Sequence, residues 1–517
     1  MIKLSALEIA QATGGQLLGL TDQQAEDLFA TSATTDSREV GPGCLFIAKP
    51  GETTDGHRFV PTAFEAGATL ALAQREVLDA QGQPYPAVLV EDVVLAMGKL
   101  AAFIVARLRQ RGQVTVIGIT GSAGKTTTKD LLASLLSSQG KTLAPIGSFN
   151  GEVGVPLTVF RAEEDTRYLI IEMGADRVGN IKYLTDMIQP DFGLVLKVGS
   201  AHAGEFGGIE NTEKTKGEMA EGVGAGLGLN QDDYRVKRMI ARASTPVTYF
   251  GVQGQEADLD AALPVDLPIQ RILASALTTN AQGQPSFQLH FPGGQSFQID
   301  SQLIGEHHVY NLLAAATAAY QCGIDSATIA QELGQAKAIS RWRMQRTDRP
   351  DGVTIINDAY NANPESMTAA LQTLAQLGRH QQQGRTWAVL GAMLELGQDS
   401  LKEHDRIGQL AVRLNISKLI AVGQEAKPIY NTAHLEGSWG KEATWVASPQ
   451  EAFELLKGEL EAGDIVLFKS SNGAGLGALG QEVADYEGDL TTAQGKGSNW
   501  LSAGEGPEAL NSDSKNR

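Results

Sequence analysis

At 517 residues the chain exceeds one ordinary hydrophobic core and implies roughly two to four domains. Its 42% hydrophobic and 20% charged residues are those of a soluble globular protein. A formal net charge of −18 argues against sequence-independent nucleic-acid binding, which needs a basic face, so any anionic ligand must be held by a local cluster. The two cysteines, Cys44 and Cys322, match neither a metal spacing nor a disulfide framework. The opening "MIKLSALEIAQATGG" lacks a signal-peptide apolar region, and no apolar run reaches the roughly 18 residues of a membrane span. A cytoplasmic enzyme without membrane insertion is the expectation.

In chain order, residues 1–110 read as short strands and Gly/Pro turns around "TTDSREVGPGCLFIAKPGETTDGHRFV", then a helix from about Val60. Residues 111–338 open with the apolar strand "VTVIGIT", a glycine-rich turn and a helix starting near Lys125. The runs "YLIIEMG" and "FGLVLKVG" continue a β-α-β series, which predicts a mainly parallel sheet. Segment 253–300, rich in Gln, Pro and Gly, predicts a small antiparallel excursion. Residues 339–486 resume the α/β rhythm with "GVTIIND", a helix near 364–378, "TWAVLGAM", "KLIAVG" and "DIVLFKSSN", separated by helices. Residues 487–517 form a polar, Gly/Ser-rich tail without periodicity, predicted to be disordered. No internal repeat is visible.

The stretch "GITGSAGKTTTKD" carries the first chemistry. Its glycines stand off the register of the common G-x-x-x-x-G-K-[ST] phosphate loop, because Ile119 occupies the first glycine position. Strand, glycine turn and Lys-Thr-Thr opening a helix nevertheless form an anion cradle of backbone N–H groups. Lys125 can reach the outer phosphates, and the Thr126 hydroxyl can ligate Mg²⁺. "YLIIEMG" ends on Glu172, a carboxylate at the carboxyl edge of the sheet where phosphate-bound Mg²⁺ finds a ligand. His202, in a Gly-rich loop, is weak evidence alone. Lys214 and Lys216 in "TEKTKGEM" read, on the residues alone, as a solvated basic helix face. No guanine-reading N-K-x-D motif occurs, so GTPases lose weight. Kinase, ATP-driven machine and ATP-dependent ligase all remain open at this point.

From about residue 5 to 483 the chain resembles the Mur ligase family, and within it the branch that adds D-alanyl-D-alanine. That family's loop reads T-G-[ST]-x-G-K-T-T, matched by Thr120, Gly121, Ser122, Ala123, Gly124, Lys125, Thr126 and Thr127. Also similar are "DSREVGPGCLFIA", "DGHRFV", "SFNGEVGVPLT", "IGEHHVYNLLAAATAA" and, most diagnostically, "NDAYNANPESMTAAL" followed by "LGAMLELG". The D-N-P-R element of the diamino-acid-adding branch is missing from the chain. The resemblance implies an α/β protein of three domains. These are a small α/β UDP-binding domain (1–110), a central P-loop mononucleotide-binding domain with a mainly parallel sheet (111–338) and a C-terminal Rossmann-like domain (339–486).

It further implies ATP-dependent amide-bond formation between UDP-N-acetylmuramoyl-tripeptide and D-alanyl-D-alanine through an acyl phosphate, by a monomer using ATP and two Mg²⁺ ions. Glu172 matches the first Mg²⁺ ligand, with Thr126. His202 matches the ligand of the second ion, and Lys216 the position of a carbamylated lysine. Asn311 matches an adenine-side asparagine and Arg343 an arginine sent to the γ-phosphate. Asp358 and Tyr360 fall in the closing nucleotide-contact segment. Ser37 and Arg38 are the implied uridine-diphosphate contacts, while His57 is expected to be structural.

The chain departs from the pattern at His308, where the family has Asn, and at Ala392, where Asp is common. "FKSSNGAGLGAL" replaces a more basic stretch, and the route after Lys216 to "LNQDD" is shortened, which predicts a trimmed loop. The competing readings are another ATP-dependent amide ligase, such as a folylpolyglutamate-synthase-like enzyme, and an inactive nucleotide-binding relative.

Overall fold

The computed structural model describes residues 1–51, 54–112, 114–199, 208–258, 266–381, 383–437 and 442–486. His202 and the tail 487–517 therefore lie outside the described residues.

The first sheet has five strands in the order Gln16–Leu18, Ala87–Leu89, Ala68–Ala73, Cys44–Ile47 and Ser32–Thr34. It is parallel except for the outer Gln16–Leu18 pairing. The helix Val60–Glu65 begins where expected, with proline in its first turn. The helix Val93–Gln110 then leads to the central sheet. It buries Val93, Met97, Leu100, Ile104 and Leu108, three to four residues apart, as one apolar stripe.

The central sheet has nine strands. From one edge they run Ser296–Asp300, Pro285–His290, Ile269–Thr279, Val247–Val252, Gly226–Asn230, Phe192–Val195, Thr115–Thr120, Tyr168–Glu172 and Thr142–Leu143. Thr115–Thr120 is apolar along its length because helices cover both faces of a parallel sheet. Strand order departs in both directions from this strand, a switch point at which α/β sheets bind ligands at their carboxyl edge. The parallel register aligns Ile119 with Glu172 and Thr120 with Val195, so the phosphate turn and Glu172 emerge side by side.

The segment expected as a small antiparallel excursion is built onto the edge of this sheet. Ile269–Thr279 pairs in parallel with Val247–Val252, and only the last two pairings, through Pro285–His290, are antiparallel. The cause is alternation. Ile272, Ala274, Phe287, Leu289 and Ile299 share one core with Leu312, Leu313 and Ala316 of the helix His308–Gln321.

The third sheet orders Gln345–Asp348, Thr354–Asn357, Ile465–Lys469, Thr386–Leu390, Lys418–Val422 and Ala443–Val446, all parallel except the first. Its two edge strands were not anticipated, since one is polar (QRTD) and the other only partly buried. The helix Pro364–His380 starts at a capping box between Asn363 and Ser366, with Pro364 first in line. Among the described residues no helix is long and apolar enough to cross a membrane.

Candidate active site

A cleft of about 1410 Å³ lies between the central and C-terminal sheets and is lined by residues of both. Its floor is the glycine turn. Gly124 has φ 86°, a left-handed conformation, and a side chain there would place Cβ 2.4 Å from Asn311 Oδ1. The helix Lys125–Ser137 starts directly after it with no side-chain cap, so its first N–H groups suit an anionic oxygen. Ser122, Ala123, Gly124, Lys125, Thr126 and Thr127 line the cleft. Thr120 is fully buried and donates to Met173 O at 2.9 Å, while Gly121 receives the Lys125 ammonium on its carbonyl at 2.7 Å. Both shape the turn from behind. Ser122 joins it to the next strand end: its N–H donates to Lys197 O (2.8 Å), and its Oγ accepts from Gly199 N (3.0 Å).

The charged centre forms around Glu172. Thr126 Oγ1 donates to Glu172 Oε2 at 3.0 Å, and Asn150 Nδ2 donates to Oε1 at 3.0 Å. A hydroxyl and a carboxylate oxygen this close are hard donors that fit a divalent cation such as Mg²⁺. Lys216, on the helix Ile209–Gly222, is buried beside them and not on a solvated face; Lys214 two residues earlier is exposed. Burial pushes the Lys216 ammonium down to about 7. The Lys125 charge adds to this, with Glu218 and Glu172 opposing. Burial also lowers Lys125, against the pull of Glu172.

The same helix is locked in place by Glu218. Its carboxylate accepts the N–H groups of Gly179 (2.7 Å) and Lys182 (2.9 Å), capping the helix Asn180–Ile188 from outside.

The C-terminal sheet contributes Arg343, whose Nη2 donates to Thr126 Oγ1 at 3.2 Å while the guanidinium lies over the Tyr360 ring at 4.5 Å. Asp358 Oδ1 accepts from Met344 N at 3.1 Å, and its other oxygen pairs with the buried Lys469 ammonium. Lys469 also donates to Asp358 O (3.3 Å) and Asn361 O (3.1 Å). Asn363 Nδ2 reaches Ser122 O at 3.3 Å, and Ser340 Oγ donates to Asp130, so the two domains are stitched together around the turn.

Asn311, implied by the resemblance to lie on the adenine side, stands against the turn. Ser37 and Arg38 are not among the lining residues; Arg38 is exposed and pairs with Asp36. His57 is buried, 2.7 Å from Asp55 Oδ1 through Nδ1, and accepts Gln74 N at 2.9 Å, a structural role. Ala392 is buried with its carbonyl on Ser471 N (2.9 Å) and presents no side chain to the cleft. From the shortened route after Lys216, Asn230 holds Leu196 O (2.9 Å) and Asp233 accepts Val198 N (3.0 Å), which supports the turn's neighbour. Asn150 and Lys469 were not picked out from sequence. Asn150 lies inside "SFNGEVGVPLT" and Lys469 inside "FKSSNGAGLGAL", where no spacing singles either out.

Comparison with known proteins decides the family. The chain matches the descriptions "Mur ligase family, catalytic domain" over residues 30–104, "Mur ligase middle domain" over 119–319 and "Mur ligase, glutamate ligase domain" over 342–472. It is 42% identical to a UDP-N-acetylmuramoyl-tripeptide–D-alanyl-D-alanine ligase of Mycobacterium tuberculosis over 94% of this chain and 98% of that one. The chain belongs to the Mur ligase family.

Its Escherichia coli counterpart of the same description is 31% identical over 83% of this chain and 88% of its own. A crystal structure of MurF from Acinetobacter baumannii superposes with TM-score 0.79 at 30% identity, covering 94% of this chain and 99% of that one. MurF from Thermotoga maritima in complex with ADP, at 24% identity, shares the fold with TM-score 0.72. The three-domain α/β architecture is therefore that of the Mur ligases, and the glycine turn with its off-register spacing falls within the residues matched to their middle domain.

Proposed function

We propose that the chain joins D-alanyl-D-alanine to UDP-N-acetylmuramoyl-tripeptide at the expense of ATP, in the synthesis of peptidoglycan precursors. One observation carries the reading. Arg343 of the C-terminal domain donates to Thr126 of the phosphate turn, which itself donates to Glu172 on the next strand, so phosphoryl transfer and a second substrate's domain share one cleft. The peptide carboxylate attacks the γ-phosphorus of ATP, the bond to the bridging oxygen breaks, and ADP leaves with that electron pair. The free amine of the dipeptide then attacks the acyl-phosphate carbon, and phosphate departs from the tetrahedral intermediate as the amine loses its proton.

Two anions must meet in the first step, which is why cations crowd the turn. Lys125 and the N–H groups of the turn hold phosphate oxygens, and Arg343 neutralises charge on the transferring group. Thr126 and Glu172 would hold Mg²⁺, which supplies Lewis-acid charge neutralisation when bound. His202 and a carbamylated Lys216 complete the proposal for a second ion. The lowered Lys216 supports it, because a neutral amine adds to CO₂ and loses a proton to become an anionic carbamate. Asn311, Asp358 and Tyr360 contact the nucleotide, and Ser37 and Arg38 bind the uridine diphosphate at a distance from the reacting atoms. Closure of the two domains keeps water from the acyl phosphate.

The test is phosphate release from ATP with each of the two other substrates omitted in turn. Release that requires both supports the reading, and release that proceeds without either one refutes it.

A further inference from the structure

His308 stands where the family resemblance leads one to expect asparagine, and the structure gives the imidazole a specific task. It opens the helix His308–Gln321 and is buried. Asn311, one turn later, uses both ends of its amide. Thr128 Oγ1 donates to Oδ1 at 3.3 Å, and Nδ2 faces His308 Nδ1 at 3.0 Å. An amide nitrogen can only donate, so Nδ1 accepts and the ring is neutral with its proton on Nε2. The Oδ1 thus turned toward the phosphate loop sits where any side chain at position 124 would have to go.

We infer that His308 is a positioning residue for nucleotide binding: its Nδ1 fixes which way the Asn311 amide points, and that amide in turn buttresses the glycine turn. Without an acceptor at Nδ1 the amide is free to rotate, and the atom against Gly124 and Thr128 is no longer defined. Burial, with the neighbouring His307 and Arg343 charges, holds the imidazole neutral well below its ordinary titration range, in keeping with an acceptor. Asparagine carries an acceptor oxygen at the position of Nδ1, so it preserves the contact, whereas leucine and glutamine do not.

This inference rests on the nucleotide-binding part of the proposed function, and its test reads nucleotide alone. Calorimetric titration of the full chain with Mg-ADP should give His308→Leu an affinity about tenfold weaker than wild type, the loss of one buried hydrogen bond with a donor left unpaired. His308→Asn should stay within about twofold. In an Asn311→Leu background the His308→Leu step should cost less than about twofold, because the partner it positions is gone. His308→Gln serves as the polar counterpart should the leucine variant fold poorly, with the same expected loss. Equal ADP affinity in wild type, H308L and H308Q overturns the inference, as do losses that add fully in the double variant. Either result leaves the ligase assay untouched, and a wild type that binds ADP but ligates nothing overturns the proposed function alone.

Discussion

Removing the Lys469 ammonium exposes the arrangement that presents Arg343 to the phosphate turn. Lys469 is 2% exposed and serves three acceptors: the Asp358 carboxylate, Asp358 O at 3.3 Å and Asn361 O at 3.1 Å. In Lys469→Met the Asp358 carboxylate stays in the same low-dielectric surroundings without its counter-charge. Breaking a buried pair in this way costs about 3–5 kcal/mol. In a domain of roughly 150 residues, at about 2–4 °C per kcal/mol, the melting midpoint should fall by roughly 6–20 °C. Differential scanning calorimetry of the full chain, following the transition of the C-terminal domain, reads this directly.

The informative variant is the double one. Asp358→Asn with Lys469→Met removes both charges and leaves no uncompensated ion, so at least half of the lost midpoint should return. A double variant that falls as far as the two single losses combined would refute the claim that the cost is an orphaned buried charge. Because Asp358 Oδ1 also accepts the N–H of Met344, next to Arg343, the single variant should also lower kcat by about tenfold or more.

Lys216→Ala should abolish phosphate release, and short carboxylates such as acetate or formate should restore part of it by standing in for a carbamate; absence of rescue removes the carbamate and leaves the ligase. In CO₂-free buffer, a Lys216 lowered to about 7 from 10.5 makes the unfolded chain bind the extra proton between those values. The cost to the fold, roughly 5 kcal/mol, is therefore full below pH 7 and fades as pH rises toward 10.5. Wild-type stability should gain on that of Lys216→Met across this window in urea titrations, and parallel curves would contradict the burial of a titrating amine.

Much of the centre was legible because it is local. "GKTTTKD" after "VTVIGIT" names strand, turn and helix within 17 residues, and Glu172 ends an apolar run whose register the neighbouring strand fixes. The burial of Lys216 was not legible from "TEKTKGEM", since a helix face is solvated or buried only by what packs on it. Asn150 on Glu172 and Lys469 on Asp358 are pairs 22 and 111 residues apart, and no periodicity points from one member to the other. The edge strands Gln345–Asp348 and Ala443–Val446 were missed because an edge needs one buried neighbour, not an apolar pattern.

Glu218 ties together parts of the site that the chain separates. The strand ending in Glu172 runs into the loop before Asn180, and the helix after that loop is capped by a carboxylate two residues from Lys216. The segment 172–182 and the Lys216 helix therefore form one closed mechanical loop. A lengthened or shortened turn between Glu172 and Asn180 would be transmitted to Lys216 without touching it. The spacing between Glu172 and Lys216 thus depends on the length of that turn as well as on the Lys216 helix.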